Sequence, residues 1–457
     1  MDCRTYVFLV IVFLAAACSP SVEADLVILD ANIVDVESGN ILENQTIEIQ
    51  DGEIAEIYAG EADFSAADTI VASGKYIIPG LWDMHVHFRG GDTLISENKD
   101  LLELYISNGI TTVRDAGGDI TPAILEWKDQ IKAGNLLGPQ IFTSGPKLDG
   151  PDPSWAGSIE LQSVDEVSAA FDSLESLNVD YVKLYDGSIS NEVYLAAIEE
   201  AEKRGLPVTG HMPFTTDFNE AVRAGLDATE HMYYVLKGAS SEEEKITKAV
   251  REDEYGFWSA LTEVLETYDE QTAQETYRQM AEAGTGIVPT LHIGKVLAYL
   301  NEENHSDDEY LKNIPEGIQE TYQGRLQAAH QQSEEATERR RNLRKRFVNM
   351  ISDLHEAGVS ILAGSDSGPY NSFVYPGVSL HKELQELVAA GLSPLQALQA
   401  SVLNGPEFFD VSNQYGKVAQ GYTADLLILN SNPLADIENT QDIYTVITQG
   451  KVAVQNP

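Results

Sequence analysis

One pattern occupies the middle of the chain: short apolar runs alternate with longer stretches of helical periodicity. The runs fall at residues 76–81, 110–113, 140–143, 181–184, 207–209, 228–230, 286–289 and 359–363. Runs this short, bounded by polar and turn residues, suit strands buried on both faces. A helical stretch after each strand returns the chain to the same end of the sheet, so neighbouring strands run parallel. Eight such units predict an α/β fold, a (β/α)8 TIM barrel, with functional groups at the C-terminal ends of its strands.

The two ends of the chain follow another pattern, and they resemble each other. Ala24-Asp25-Leu26-Val27-Ile28-Leu29 is echoed by Ala424-Asp425-Leu426-Leu427-Ile428-Leu429. Each opens a set of short alternating strands with a Gly turn, Asp51-Gly52 in the first and Gln449-Gly450 in the second. Alternation with Gly turns predicts antiparallel sheet, so the ends are expected to build one small β-sandwich. The predicted division is 23–78 and 406–457 for the sandwich and 79–405 for the barrel. Residues 240–283 and 295–356 exceed ordinary crossovers and are rich in Glu, Gln, Lys, Arg and Ala, which predicts helical insertions near the barrel mouth. Gly- and Pro-rich loops at 145–157 and 368–377 follow the third and eighth strands, on the face where loops carry function.

Residues 1–17 are expected to stand outside the fold. Arg4 precedes an uncharged apolar run from Tyr6 to Ala17. The run is shorter than a membrane-spanning helix and has the length of a signal-peptide core. It ends in Ala15-Ala16-Ala17-Cys18, small residues before a cysteine, as in a bacterial lipoprotein, although Ala15 stands where Leu is more usual. The expectation is an exported protein on a periplasmic or extracellular membrane face, anchored by a lipid on Cys18, with 18–22 as linker. A plain signal peptide cut nearby is the alternative. The chain has two cysteines, Cys3 and Cys18, and loss of Cys3 with the leader leaves no internal disulfide to form.

With 73 acidic and 29 basic residues the formal charge is −44. Such a surface repels nucleic acid and anionic lipid, which excludes nucleic acid as a partner. It also repels itself in dilute buffer. Adaptation to high salt is expected, because the screening length falls to about 3 Å at molar ionic strength.

His85-Val86-His87 ends the first barrel strand. On a strand, residues i and i+2 point to one side, and two imidazoles there can hold one metal ion. The motif gains weight from its company. Lys183 ends the fourth strand, His211 follows the fifth, His231 follows Glu230 after the sixth, and Asp366 closes Gly364-Ser365-Asp366 after the eighth. A packed core histidine accounts for any one of these, but it must do so independently at each strand end. His292, past the seventh strand, and Arg114, Tyr185, Tyr233 and Tyr234, close to other strand ends, are candidate substrate contacts. His305, His330 and His355 are expected in helices, as surface or packing residues. Arg339-Arg340-Arg341-Asn342-Leu343-Arg344-Lys345-Arg346 stands out in so acidic a chain. It is expected as a solvated helix face paired with carboxylates, or as a guide for an anionic substrate.

In this order these residues resemble the amidohydrolase superfamily. The resemblance rests on Gly80-Leu81-Trp82-Asp83-Met84-His85-Val86-His87, Lys183, Gly210-His211, Glu230-His231 and Ser365-Asp366. Gly109-Ile110-Thr111-Thr112-Val113-Arg114-Asp115, Pro376-Gly377-Val378-Ser379-Leu380-His381 and Ala424-Asp425-Leu426 support it. It spans almost all of the chain after the leader and is nearest the peptidase-like branch, near Xaa-Pro dipeptidases and imidazolonepropionase-related proteins.

The resemblance implies two divalent metal ions, zinc in the first instance, with manganese, iron or cobalt as alternatives. His85, His87 and Asp366 would bind one ion and His211 and His231 the other. Lys183, carboxylated by carbon dioxide, would bridge them; an unmodified Lys183 in a core ion pair is the alternative. Such a pair would make hydroxide available at neutral pH, and Asp366 would carry the proton to the leaving nitrogen. The implied activity is hydrolysis of an amide or peptide C–N bond in a small dipeptide or N-acyl amino acid, with Arg114 or the arginine run meeting its carboxylate. A cyclic-amide ring hydrolase of the imidazolonepropionase type is the second reading; such relatives typically lack the bridging lysine, so Lys183 argues against it. A non-catalytic barrel is the third, and the full ligand set argues against that.

Overall fold

The structure is a computed structural model that describes residues 24–60 and 66–456. The leader and Cys18 lie outside the described residues. No described helix is long and apolar enough to cross a membrane.

The N-terminal part forms strands β1 (Ala24–Val34), β2 (Ile41–Gln50), β3 (Glu53–Ala59), β4 (Ala66–Val71) and β5 (Tyr76–Pro79). The middle of the chain supplies β6 (Leu81–Val86), β7 (Ile110–Asp115), β8 (Gln140–Thr143), β9 (Leu148–Asp149), β10 (Ile159–Glu160), β11 (Val182–Leu184), β12 (Val208–Gly210), β13 (Ala228–Glu230) and β14 (Gly286–Val288). The C-terminal part adds β15 (Leu426–Leu429), β16 (Ile443–Thr448) and β17 (Lys451–Gln455).

The two ends of the chain meet in one eight-stranded sheet, ordered β17-β16-β15-β5-β1-β2-β3 with β4 beside β1. The expectation of purely antiparallel pairing is corrected here: β1 pairs in parallel with β4 and β5 and antiparallel with β2. The sequence echo has a physical meaning. β1 and β15 flank β5, and each begins beside an aspartate that receives the first N–H of a hairpin turn. Asp51 N donates to Asp25 Oδ2 at 2.7 Å, and Gln449 N donates to Asp425 Oδ1 at 2.6 Å. Asp51 (φ 52°), Gly52 (85°), Gln449 (48°) and Gly450 (75°) are all left-handed, as a two-residue type I′ hairpin turn requires. The two turns touch. A Cβ on Gly450 would come within 2.8 Å of Gly52 Cα, so glycine is needed there for space as well as for conformation. Leu26, Ile28, Ile47, Ile49, Ile77, Leu426, Ile428 and Ile447 pack this sheet into a core of its own.

The middle of the chain carries parallel strands in two sheets, β6-β7-β8 and β10-β9-β11-β12-β13-β14. The start of the first barrel strand is corrected. Residues 76–79 form β5, which pairs with β1 and β15 outside the barrel strands; the strand that carries the His pair is Leu81–Val86. The eighth run is not a regular strand. Its backbone still joins both neighbours: Ile287 N donates to Ser360 O at 2.9 Å, Leu362 N to Ile287 O at 2.8 Å, and Met84 N to Ala363 O at 2.9 Å. The arrangement is TIM-barrel-like, with all strand C-termini that matter here on one side. The two long segments carry the helices Glu243–Arg251, Phe257–Glu266 and Glu270–Ala283, then Glu316–Thr321, Gln323–His330 and Glu334–Glu356.

Candidate metal centre and active site

The candidate histidines and Lys183 sit at or near the C-terminal ends of parallel strands, and Asp366 follows the irregular eighth run. His85 lies in β6 and His87 just beyond its end, and their Nε2 atoms approach to 3.3 Å. Asp366 Oδ1 lies 3.5 Å from His85 Nε2 and 3.2 Å from His87 Nε2, and its Oδ2 lies 4.0 Å from His231 Nε2. One ligand atom from each of His85, His231 and Asp366 falls within 4.8 Å of the other two. His211 stands beside this cluster, its ring centroid 4.8 Å from that of His231.

Three of the imidazoles have Nδ1 committed elsewhere. His85 Nδ1 meets Glu230 Oε2 at 2.6 Å, His231 Nδ1 meets Thr290 Oγ1 at 2.6 Å, and His211 Nδ1 meets Asp186 Oδ1 at 3.1 Å. Such partners fix the ring and leave Nε2 as the free nitrogen. His87 Nδ1 is buried with no hydrogen-bond partner. Burial pushes His85, His87 and His231 below the usual imidazole range, toward the neutral form that ligates metals. Burial alone would raise Asp366, but His85 and His87 hold it well below the usual carboxylate range. Converging neutral imidazoles with one ionised carboxylate fit a divalent transition metal.

Glu230 is the hub that the sequence reading did not single out, although it stood in the quoted Glu230-His231 pair. Besides His85, it accepts from Arg114 Nη2 at 2.7 and 2.9 Å and from Thr209 Oγ1 at 2.8 Å. Lys183 Nζ lies 3.0 Å from Glu230 Oε1, although that approach does not meet hydrogen-bond geometry. Unmodified, Lys183 thus faces Glu230 across an ion pair. Burial pushes its ammonium down to about 8, with Glu230 opposing and Arg114 adding to the shift.

Arg114 is corrected as a substrate contact. It is fully buried, its Nε donates to Met84 O at 2.6 Å, and its charge is spent on Glu230. His292 is corrected as well: it lines a separate cavity with Lys295, His305 and Tyr375. His305 lies in a loop rather than a helix, stacked on Phe373 at 4.3 Å.

The backbone at the site is unusual in a consistent way. His231 (φ 61°), Thr290 (50°) and Asp366 (58°) are left-handed without being glycine, a conformation that costs about 1–2 kcal/mol for an ordinary residue. Hydrogen bonds hold the Asp366 turn. Asp83, buried below it, accepts from Ser365 N at 2.8 Å and Ser365 Oγ at 2.5 Å, and Asn371 Nδ2 donates to Asp366 Oδ1 at 2.6 Å.

A cavity of about 500 Å³ opens from His211, His231 and Asp366. Tyr233, Phe257, Trp258, Leu297 and Phe347 form much of its wall, so the helical insertions narrow the approach. Tyr185 and Tyr234 both line it. Tyr185 stacks on His211 at 4.5 Å, and Tyr234 donates to Asp186 Oδ2 at 2.8 Å. Of the arginine run, Arg340 lines the cavity, as does Arg325 from a neighbouring helix. Arg341 and Arg344 instead pair with Glu302 and Glu386.

Known proteins share this fold. The ochratoxinase of Aspergillus niger is 22% identical over 484 residues, spanning 92% of this chain and 84% of the relative. Among solved structures, a bottromycin amidohydrolase superposes with a TM-score of 0.72 at 23% identity, covering 93% of this chain and 86% of that one. An Xaa-Pro dipeptidase with methionine bound in its active site gives 0.69 at 19% identity, covering 94% and 100%. Residues 76–453 match the amidohydrolase family, so this chain belongs to that family and is a hydrolase acting on carbon–nitrogen bonds.

Proposed function

We propose that the chain hydrolyses the amide or peptide bond of a small dipeptide or N-acyl amino acid. The observation that carries this reading is the junction of the His85–His231–Asp366 cluster with one aromatic-walled cavity of about 500 Å³. That volume suits a single small ligand rather than a protein segment. A dipeptidase among the relatives favours a peptide-like substrate over a ring.

In this reading two divalent ions, zinc in the first instance, occupy the site. His85, His87 and Asp366 would hold one, His211 and His231 would hold the other, and Lys183, carboxylated, would supply an anionic ligand to them. A buried Nζ without a hydrogen bond, shifted toward the neutral amine, supports that modification. When bound, such ions supply a Lewis acid and a hydroxide nucleophile at neutral pH. The chain's own residues do the rest. Asp366 holds the proton released from water and passes it to the leaving nitrogen. Glu230, Asp186 and Thr290 keep the imidazoles aimed, and the aromatic wall excludes bulk water. The parallel strands are taken as a closed eight-stranded barrel, and the terminal sheet as a sandwich-like domain. Residues 1–17 direct export, and Cys18 carries a lipid that holds the protein at a membrane face.

Screening the purified, metal-loaded protein against dipeptides and N-acyl amino acids tests the substrate class. Turnover of several members is expected. Turnover of lactones or cyclic ureas with none of any dipeptide or acyl amino acid would move the protein to the ring-opening branch.

A further inference from the structure

Helix Leu291–Tyr299 opens on a residue that does not cap it. Thr290 stands at its N-cap, where a Thr hydroxyl ordinarily accepts an N–H of the first turn from an extended backbone. Other helices of this chain are capped in that way. Ser190, Asp217, Asp269, Ser333 and Ser393 each accept such an N–H, and each is extended. Thr290 is left-handed instead, at φ 50° and ψ 51°, and makes no cap bond. Its hydroxyl is committed to the metal centre, 2.6 Å from His231 Nδ1.

The uncapped N–H groups are satisfied from another helix. Glu383, in Val378–Ala389, accepts from Leu291 N at 2.9 Å on Oε1 and from His292 N at 2.7 Å on Oε2. It is fully buried and forms no ion pair among the described residues. Burial pushes its carboxyl up to about 8, and these two N–H groups are what oppose the shift. A carboxyl without a counter-charge is costly to bury, yet both oxygens of this one go to a single turn of backbone. Glu386, three residues on in the same helix, is by contrast paired with Lys295 and Arg344. The strand before Thr290 holds the same ligand by its main chain: His231 N donates to Val288 O at 2.8 Å.

We propose that Glu383 is a positioning residue for His231: by taking over the cap of helix Leu291–Tyr299, it lets Thr290 stay left-handed and keep its hydroxyl on His231 Nδ1. This rests on the reading of His231 as a metal ligand. Two sets of donors compete for one oxygen. Without Glu383 the first-turn N–H groups lose their acceptor, and the Thr290 hydroxyl is the replacement, which reaches them by turning to the extended backbone of an ordinary cap. That turn withdraws the hydroxyl from His231. The ring is then free to rotate, or to carry its proton on Nε2, the nitrogen that faces Asp366. Glu383 does not line the cavity that opens from His231, and its hydrogen bonds go to Leu291 and His292. Its effect on the ligand therefore passes through Thr290.

The full-length wild type, Glu383→Gln, Thr290→Val, the double variant and Glu386→Gln are stripped of metal and titrated with zinc in competition with a chelator. Glu383→Gln is near-isosteric and offers one acceptor where the carboxylate offers two. Glu383→Asp, which withdraws the carboxylate by one methylene, takes its place if it does not fold. Glu383→Gln should weaken zinc binding about tenfold. The double variant should bind no more weakly than Thr290→Val alone, because one path carries both effects. Glu386→Gln removes a charge from the same helix without touching the cap, and should bind zinc as wild type does. Nitrogen NMR of metal-free, histidine-labelled protein gives a second readout, with the His231 signal identified by its loss in His231→Asn. The ring proton should sit on Nδ1 in wild type and move in part to Nε2 in Glu383→Gln. Wild-type affinity in Glu383→Gln, losses that multiply in the double variant, or an equal loss in Glu386→Gln would make Glu383 a packing residue and overturn the proposal. If wild type takes up no zinc, the metal reading fails and the ring proton decides. A proton that moves in Glu383→Gln but not in Glu386→Gln upholds the positioning role; one that stays on Nδ1 in Glu383→Gln, or is absent from Nδ1 in wild type, overturns it.

Discussion

Arg114 and Glu230 form a fully buried ion pair beneath the metal centre, with Nη2 2.7 Å from one carboxylate oxygen and 2.9 Å from the other. The pair is a support rather than a contact with substrate. It holds the carboxylate that in turn meets His85 Nδ1, so a charge in the second strand of the parallel set fixes a ring on the first.

Arg114→Met should therefore cost stability before it touches specificity. Removing one partner of a buried pair leaves the other uncompensated, a loss of about 3–5 kcal/mol. Chemical denaturation should show that loss, and Arg114→Met/Glu230→Gln should recover part of it. An unchanged preference between the acid and C-terminal amide forms of a substrate is expected in whatever Arg114→Met remains folded; a collapsed preference would return Arg114 to the substrate.

The metal stoichiometry is open to direct measurement. Elemental analysis should find about two divalent ions per chain in the wild type. Lys183→Ala should lower that number, and Asp366→Ala should reduce kcat by about 10²–10⁴-fold through loss of the proton carrier. One ion per chain in the wild type, with Lys183→Ala fully active, would reduce the centre to a mononuclear one.

Thr290 is a sharper test of ring orientation, because it touches the centre only through His231 Nδ1. Thr290→Val keeps the shape and removes the oxygen. Metal affinity, read by competition with a chelator, should fall about 10–100-fold. An affinity equal to wild type would show that the left-handed backbone at His231 positions the ring unaided.

Salt should stabilise the fold. A formal charge of −44 repels itself over about 10 Å at 0.1 M salt and only about 3 Å at 1 M. The melting temperature is expected to rise across that range. A flat profile would remove the case for high-salt adaptation.

Cys18 should carry lipid. Labelled fatty acid is expected in the wild-type protein expressed with its leader and not in Cys18→Ala. Equal labelling of the two would leave a plain signal peptide as the reading of residues 1–17.

The sequence by itself determined the rhythm of this protein. Apolar runs at 110–113, 140–143, 181–184 and 228–230 became parallel strands because a short run buried on both faces admits little else. The echo of Ala24-Asp25 in Ala424-Asp425 marked two equivalent hairpin supports. Local chemistry was enough for both. His85, His231 and Asp366, which the fold brings together, stood out in the sequence as ligand-type residues near the ends of apolar runs. What only the tertiary structure decided concerns charges whose partners are far apart in the chain. Arg114 and Glu230 are separated by 116 residues, and no spacing rule joins them. Arg114 was expected as a substrate contact near a strand end and is buried on an acid. Arg89 and Lys147 carried no motif, and their burial is visible only once the chain is packed. Burial sets what a charge costs, and burial is a property of the packed chain rather than of its order.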